Sequence, residues 1–424
     1  MALIIAILAF GYAFSSLLSG LNVRHMAARI RLGLPEGLAG RFDIAQLSRM
    51  ADYNRDHARL GYWDGLMGLA ATVAIMALGI LPALARTLAA SAMPLALQGL
   101  AALYLPLLAL WLAGIPGSLA SSFGVERRYG FSTITPATWL ADQTKGLAVS
   151  GLLMGLLFFG FYLFIQWLGS WWWLAAWALV SLFTLLVSFV APVLLAPLFN
   201  KFTPIADQAL QDRILDLARQ ARFPLAGVFQ MDASKRSTHD NAYFTGLGRT
   251  RRIVFYDTML QDYGHGELLS VLGHEIGHWK LGHIPRTIII SSALSGLMLW
   301  LVSLLLNSEW LYGALGLAGL HASLGLAGPV VGVALLVASV LFSPLSLALS
   351  PLLLWISRRH EYQSDAFAVR LFPQPGEMKG ALVKLARRNL SNLFPHPLYV
   401  AFHYSHPPLL ARLAAIDKVT VSSS

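Results

Sequence analysis

The chain has 424 residues, 56% of them hydrophobic and only 12% charged, with a formal net charge of +10 and no cysteine. That balance excludes an ordinary water-soluble globular protein, and the missing thiols exclude disulfides, thiolate metal ligands and a cysteine nucleophile. The positive charge comes without interleaved basic and stacking aromatic residues, so no nucleic-acid partner is expected; the lipid bilayer and its anionic headgroups account for it.

Taken in order, seven apolar runs approach or exceed the about 20 residues that a helix needs to cross about 30 Å of hydrocarbon. They are roughly 1–21, 65–85, 93–119, 146–169, 171–198, 287–306 and 327–356, and none contains Lys, Arg or Glu. The first lacks a basic leader and a small-residue cleavage site, so it is expected to persist as a helix and not to be removed as a signal peptide. Thirty of the 31 Lys and Arg lie in 22–64, 120–145, 199–286 and the tail after 356, and Arg86 alone lies in the alternate set of gaps. Basic residues flanking membrane helices stay cytoplasmic. The N-terminus is therefore expected outside and the C-terminus in the cytoplasm.

Between the fifth and sixth runs, residues 209–223 have helical apolar spacing. Residues 227–257 read as strands, GVFQMDAS, NAYFTGL and RRIVFYD, with TGLGRT supplying the glycines of a hairpin turn. From about Gly266 a helix, GELLSVLGHEIGHWKLGH, runs up to Pro285. After the seventh run, EYQSDAFAVRLF and GEMKGALVKLARRNLSNLF predict further helices on the cytoplasmic side.

His274, Glu275 and His278 form H-E-x-x-H. Residues four apart share a helix face, so the two imidazoles can hold one Zn²⁺ while Glu275, one step round, meets the water to be activated. By composition the motif is expected by chance about 0.006 times in a chain like this. The extended form with a third histidine needs Gly at 281 and His at 284, where Leu281 and Ile284 stand, so His283 is not read as a ligand. The third ligand must come from elsewhere, with His239, His360, His403 and His406 as cytoplasmic candidates beside Glu361. Glu361 is chosen: it follows the seventh run on the same side of the membrane. Asp365, one turn on, is placed to accept a hydrogen bond from a ligating imidazole. The competing reading of Glu361 and Asp365 is a solvated face paired with Arg358 and Arg359.

HEIGHWKLGH, EYQSDAFA, SKRSTHDNAYFTGLGRTRRIVFYDTML, YSHPPLLARL and the N-terminal YGFSTITPATWLADQTKG together resemble the type I CAAX prenyl protease family of membrane zinc endopeptidases. The resemblance covers essentially the whole chain in order. It implies an α-helical integral membrane protein, seven transmembrane helices forming an α-barrel around an intramembrane chamber, with a cytoplasmic α+β zinc-metalloprotease portion. By motif position it implies one zinc held by His274, His278 and Glu361, with Glu275 as catalytic acid/base and Asp365 and Arg412 supporting the ligands. It further implies that Asn241, Ala242, Tyr243, Phe244 and Thr245 pair with the substrate backbone and that His406 stabilises the developing oxyanion.

On this reading, residues 1–198 are an N-terminal membrane region and 199–424 a metallopeptidase region that includes the last two membrane helices. The expected substrate is a peptide or protein, lipidated or membrane-associated. A broader quality-control protease is the alternative within enzymes, and a channel or transporter with a structural zinc is the alternative outside them. A cysteine-free composition rich in Ala, Leu and Trp, with no retention signal, points to a bacterial inner membrane.

Overall fold

Six stretches of the computed structural model, which describes residues 1–34, 38, 40–246 and 251–423, are helical, long and apolar enough to cross a membrane. They are Ala2–Arg31, Ile44–Ala77, Leu95–Arg128, Pro136–Leu198, His283–Leu306 and Gly328–Leu371. The chain is a multi-pass helical membrane protein. The fourth and fifth runs of the sequence form one 63-residue stretch, because only Ser170 stands between them and no polar linker separates the helices. The stretch turns at Gly169–Trp171, and its arms, Pro136–Leu168 and Trp172–Val190, pack against each other.

Helices also extend past the apolar runs into polar sequence, where backbone hydrogen bonds still close internally. Ile44–Ala77 starts at a capping box: the Asp43 carboxylate accepts from the Gln46 amide, and the Gln46 side chain accepts from the Asp43 amide. Its polar first half carries Leu47 and Met50 into one core with Leu382, Leu390 and Phe394 near the C-terminus. At the other end of the chain, Gly328–Leu371 is a single helix of 44 residues, about 66 Å long at 1.5 Å per residue. The apolar seventh run and the EYQSDAFA segment are therefore one rod, hereafter the long helix.

The polar portion is built on a four-stranded sheet of β1 (Phe202–Pro204), β2 (Gly227–Met231), β3 (Ala242–Thr245) and β4 (Arg252–Tyr256), in the order β1-β2-β4-β3. β2 and β4 run parallel, and the other two pairs are antiparallel. The three-residue β1 has too little periodicity to be read from sequence. β3 and β4 form the expected hairpin, although Leu247–Thr250 of its TGLGRT turn lie outside the described residues. The helix Gln208–Gln220 lays Leu210, Ile214 and Leu217 in a common core with Val228 and Phe255 of the sheet and with Leu272 of the motif helix.

The motif helix, His265–Lys280, ends five residues earlier than its expected limit at Pro285. Gly282 adopts φ +70°, a left-handed conformation open to glycine at little cost, and a new helix starts at His283. Pro285 then falls in the first turn of the new helix, where a missing N–H leaves no gap.

Candidate metal centre

The motif helix touches the long helix backbone to backbone. A Cβ on Gly277 would lie 3.0 Å from the Cα and 3.2 Å from the carbonyl oxygen of Ser364, and one on Gly273 would lie 3.3 Å from the Cα of Ala368. Glycine at both positions lets the helices approach until Glu361 meets the two motif histidines. Gly277→Leu is therefore expected to cost at least the about 1–3 kcal/mol of overpacking and to lower bound metal. Melting temperature and metal content measured together check this, and wild-type values of both would show that the close approach is dispensable.

At this contact His274 Nε2 and His278 Nε2 lie 3.1 Å apart. Glu361 Oε1 is 3.1 Å from His278 Nε2, and Glu361 Oε2 is 3.4 Å from His274 Nε2. Four-coordinate zinc sites with bonds of about 2.0–2.2 Å put neighbouring ligand atoms about 3.3–3.6 Å apart. Glu361 is buried, and its Oε2 has no hydrogen-bond partner. Two imidazole nitrogens aimed at each other beside a buried carboxylate oxygen that lacks a hydrogen bond fit a shared cation, and the N, N, O donor set suits zinc.

The surroundings orient this set. Asp365 Oδ1 accepts from His274 Nδ1 at 2.8 Å, which leaves the His274 Nε2 lone pair facing Glu361. Arg412 holds the same carboxylate through Nε at 2.8 Å and Nη2 at 2.6 Å, and all three side chains are buried. Burial favours the neutral imidazole, but the carboxylates of Asp365 and Glu361 outweigh it and raise His274 to about 9. A group of atoms that draws a proton so firmly draws a divalent cation for the same electrostatic reason. Burial also pushes the Glu275 carboxyl up, against the pull of the His274 and His278 imidazoles.

Glu275 lines a cavity of about 340 Å³ together with Tyr243, Phe244, Thr245, Trp279 and His406. β3 is the outer strand, bonded to β4 on one side with its other edge unpaired in the sheet. Asn241 is exposed just ahead of it: its side-chain oxygen accepts from the Ala242 amide at 2.8 Å, and its carbonyl accepts from Tyr256 at 3.0 Å. His406 is exposed, with Nε2 3.5 Å from Glu361 Oε2.

Of the rival third ligands, His406 borders the site, and the other three stand elsewhere. His239 bonds Glu126 and Asn389 and stacks on Phe131. His403 packs on Tyr399, and His360 stacks on His283. Arg358 and Arg359 do not pair with Glu361 or Asp365; Arg358 donates to the carbonyls of Val400 and Tyr404, and Arg359 lies over Trp355. His283 and Gln363, neither of them expected at the site, lie directly behind His278. The signal that could have found them is Gly282, whose turn folds His283 back onto the motif.

Comparison with known proteins identifies the family. Residues 204–420 match peptidase family M48, and residues 23–201 match the CAAX prenyl protease N-terminal family with five membrane helices. The Arabidopsis thaliana CAAX prenyl protease 1 homolog is 38% identical over 304 residues, 72% of this chain and 69% of that protein. The Homo sapiens CAAX prenyl protease 1 homolog is 32% identical over 440 residues, covering 90% and 88% of the two chains. The crystal structure of S. mikatae Ste24p superposes with a TM-score of 0.88 at 29% identity over 98% of each chain. A multi-pass helical chain with H-E-x-x-H packed against a glutamate on its last membrane helix, matching both family patterns along nearly its whole length, belongs to peptidase family M48, in the type I CAAX prenyl protease group of membrane metalloproteases.

Proposed function

We propose that the chain is a zinc-dependent endopeptidase that cuts C-terminal, CAAX-like peptides of membrane-associated proteins laid along β3. The observation that carries this reading is that His274 and His278, which meet Glu361 in one cluster, line a cavity together with Glu275 and the edge strand β3. Zinc held by His274, His278 and Glu361 would supply a Lewis acid for the scissile carbonyl and lower the pKa of water. Glu275 takes the proton of the attacking water and delivers it to the leaving amine. His406 offers a donor to the carbonyl oxygen as negative charge develops there. Asn241 and the β3 backbone from Ala242 to Thr245 hold the peptide by strand addition, which gives affinity with little demand on sequence. Asp365 and Arg412 keep His274 turned toward the metal.

The membrane region has its own part in this reading. In five of the six spanning stretches no more than 22% of the most apolar window is buried, which supports helices exposed on two faces, one to lipid and one to an internal chamber. The basic residues support an N-terminus outside and a catalytic portion in the cytoplasm. The two family matches meet between residues 201 and 204, in support of a division of the chain at 198/199. The bacterial inner membrane rests on composition alone, and the relatives compared above are eukaryotic.

Purified protein in lipid vesicles, given C-terminal peptides with and without an isoprenyl group on a cysteine, tests the function by mass spectrometry of the products. Release of a C-terminal fragment is expected, and Ala242→Pro is expected to impair it while bound metal stays, because proline removes a backbone donor from the pairing strand. Unchanged kinetics in Ala242→Pro across several peptides would place the substrate elsewhere. Backbone recognition by β3 also favours a second reading, a quality-control protease. Equal cleavage of unlipidated, unfolded membrane peptides would select it.

A further inference from the structure

We propose that His283 and Gln363 form a relay that fixes the proton of His278 on Nδ1 and thereby keeps His278 Nε2 available to the metal. This rests on the reading of His274, His278 and Glu361 as the metal site. His283 is not a ligand in it but a positioning residue, one step behind a ligand.

His283 opens the helix that follows the Gly282 turn and is 2% exposed. Its Nδ1 lies 3.2 Å from His278 Nδ1, and its Nε2 lies 2.9 Å from the side-chain oxygen of Gln363. The ring is held flat against His360, with centroids 4.0 Å apart and planes within 9°. The other polar atom near His283 Nδ1 is the Ser364 hydroxyl, at 3.5 Å.

A neutral imidazole has one N–H and one lone pair. The Gln363 carbonyl accepts, so His283 carries its hydrogen on Nε2 and presents a lone pair at Nδ1. His278 Nδ1, 3.2 Å away, must then be the N–H that donates to it. His278 Nε2 is left bare, and it is this atom that faces His274 Nε2 and Glu361 Oε1. The reverse order, with the Gln363 amide nitrogen donating, would put a hydrogen on His278 Nε2 and block the site. The two histidines of the motif are thus oriented by different devices. His274 donates to a carboxylate, Asp365, that is itself held by Arg412, whereas His278 donates to a neutral imidazole held by an amide.

The experiment is a chelator competition for zinc on the purified full-length chain. His283→Leu keeps an apolar filler of similar reach but offers no acceptor, and it is expected to weaken zinc binding by about 10- to 100-fold, as losses behind a ligating histidine do. His283→Gln restores a carbonyl in reach of His278 Nδ1 and is expected to recover most of the affinity. Gln363 is exposed, so Gln363→Leu should fold, and it is expected to weaken zinc severalfold while Gln363→Glu does not. A merely structural role would lower the melting temperature of the Leu and Gln variants of His283 alike and leave affinity unmoved.

Wild-type affinity in His283→Leu, or equal losses in His283→Leu and His283→Gln, would overturn the relay. If His283→Leu does not fold, wild-type affinity in Gln363→Leu overturns it instead. Glu361→Ala, measured alongside, separates the two levels: retained zinc there refutes the metal site itself, whereas zinc lost there but kept in the His283 and Gln363 variants refutes the relay alone.

Discussion

Glu275→Gln is expected to keep the fold and the bound metal while lowering peptide-bond hydrolysis by about 10²- to 10⁴-fold, the range of a general acid/base contribution. The side chain lines the cavity beside β3, and it is one residue, about 100° of helix, away from His274. Replacing its carboxylate with an amide of the same shape removes the proton acceptor and leaves the volume. Neither motif histidine depends on Glu275 for a hydrogen bond: His274 donates to Asp365, and His278 faces His283. Metal content and turnover measured on the same preparation make the check. Full activity would remove Glu275 from the mechanism, and loss of metal with loss of activity would make it a structural member of the site.

Glu361→Ala is expected to lose most bound metal, Asp365→Ala to weaken it by about 10- to 100-fold, and His360→Ala to retain it. Neighbours on a helix point about 100° apart, so His360 and Glu361 cannot both face the motif. Glu361 is buried, with a carboxylate oxygen 3.1 Å from His278 and the other 3.4 Å from His274, while His360 turns its ring onto His283. Removing Asp365 would leave His274 Nδ1 without its acceptor and Arg412 as a buried cation without its main partner. That loss acts on the metal indirectly, and hence less severely than removal of a ligand. Atomic emission on the purified variants decides the assignment. Normal zinc in Glu361→Ala with loss in His360→Ala would show that the wrong neighbour has been chosen.

What could be read without coordinates follows the reach of local geometry. A four-residue spacing puts two side chains on one helix face wherever the helix lies, so His274 and His278 were bound to converge, and their Nε2 atoms lie 3.1 Å apart. Asp365 shares a face with Glu361 for the same reason. Apolar length and the placement of Lys and Arg likewise depend on the bilayer and not on neighbours, so the membrane character and alternating segments were legible. The count of separate helices was less so: the polarity of a one-residue gap at Ser170 says little about whether a chain ends one helix or turns within a stretch.

The tertiary structure decided everything that joins one element to another. Which of several acids and histidines outside the apolar runs meets the motif depends on how closely two helices pack, and that distance is set by Gly273 and Gly277 against Ala368 and Ser364, contacts nearly a hundred residues apart in the chain. The same holds for β3, whose residues read as a strand from their own pattern but whose exposed edge exists only because β4 pairs between β2 and β3. His283 is the sharpest case. Its spacing excludes it from the known three-histidine pattern, and spacing alone leaves it without a place; the left-handed turn at Gly282 and a glutamine on the far helix put it behind His278. Sequence spacing determines which side chains can act together on one helix, because helical pitch is a property of the backbone. Packing determines which helix they act with, because that is a property of every side chain between them.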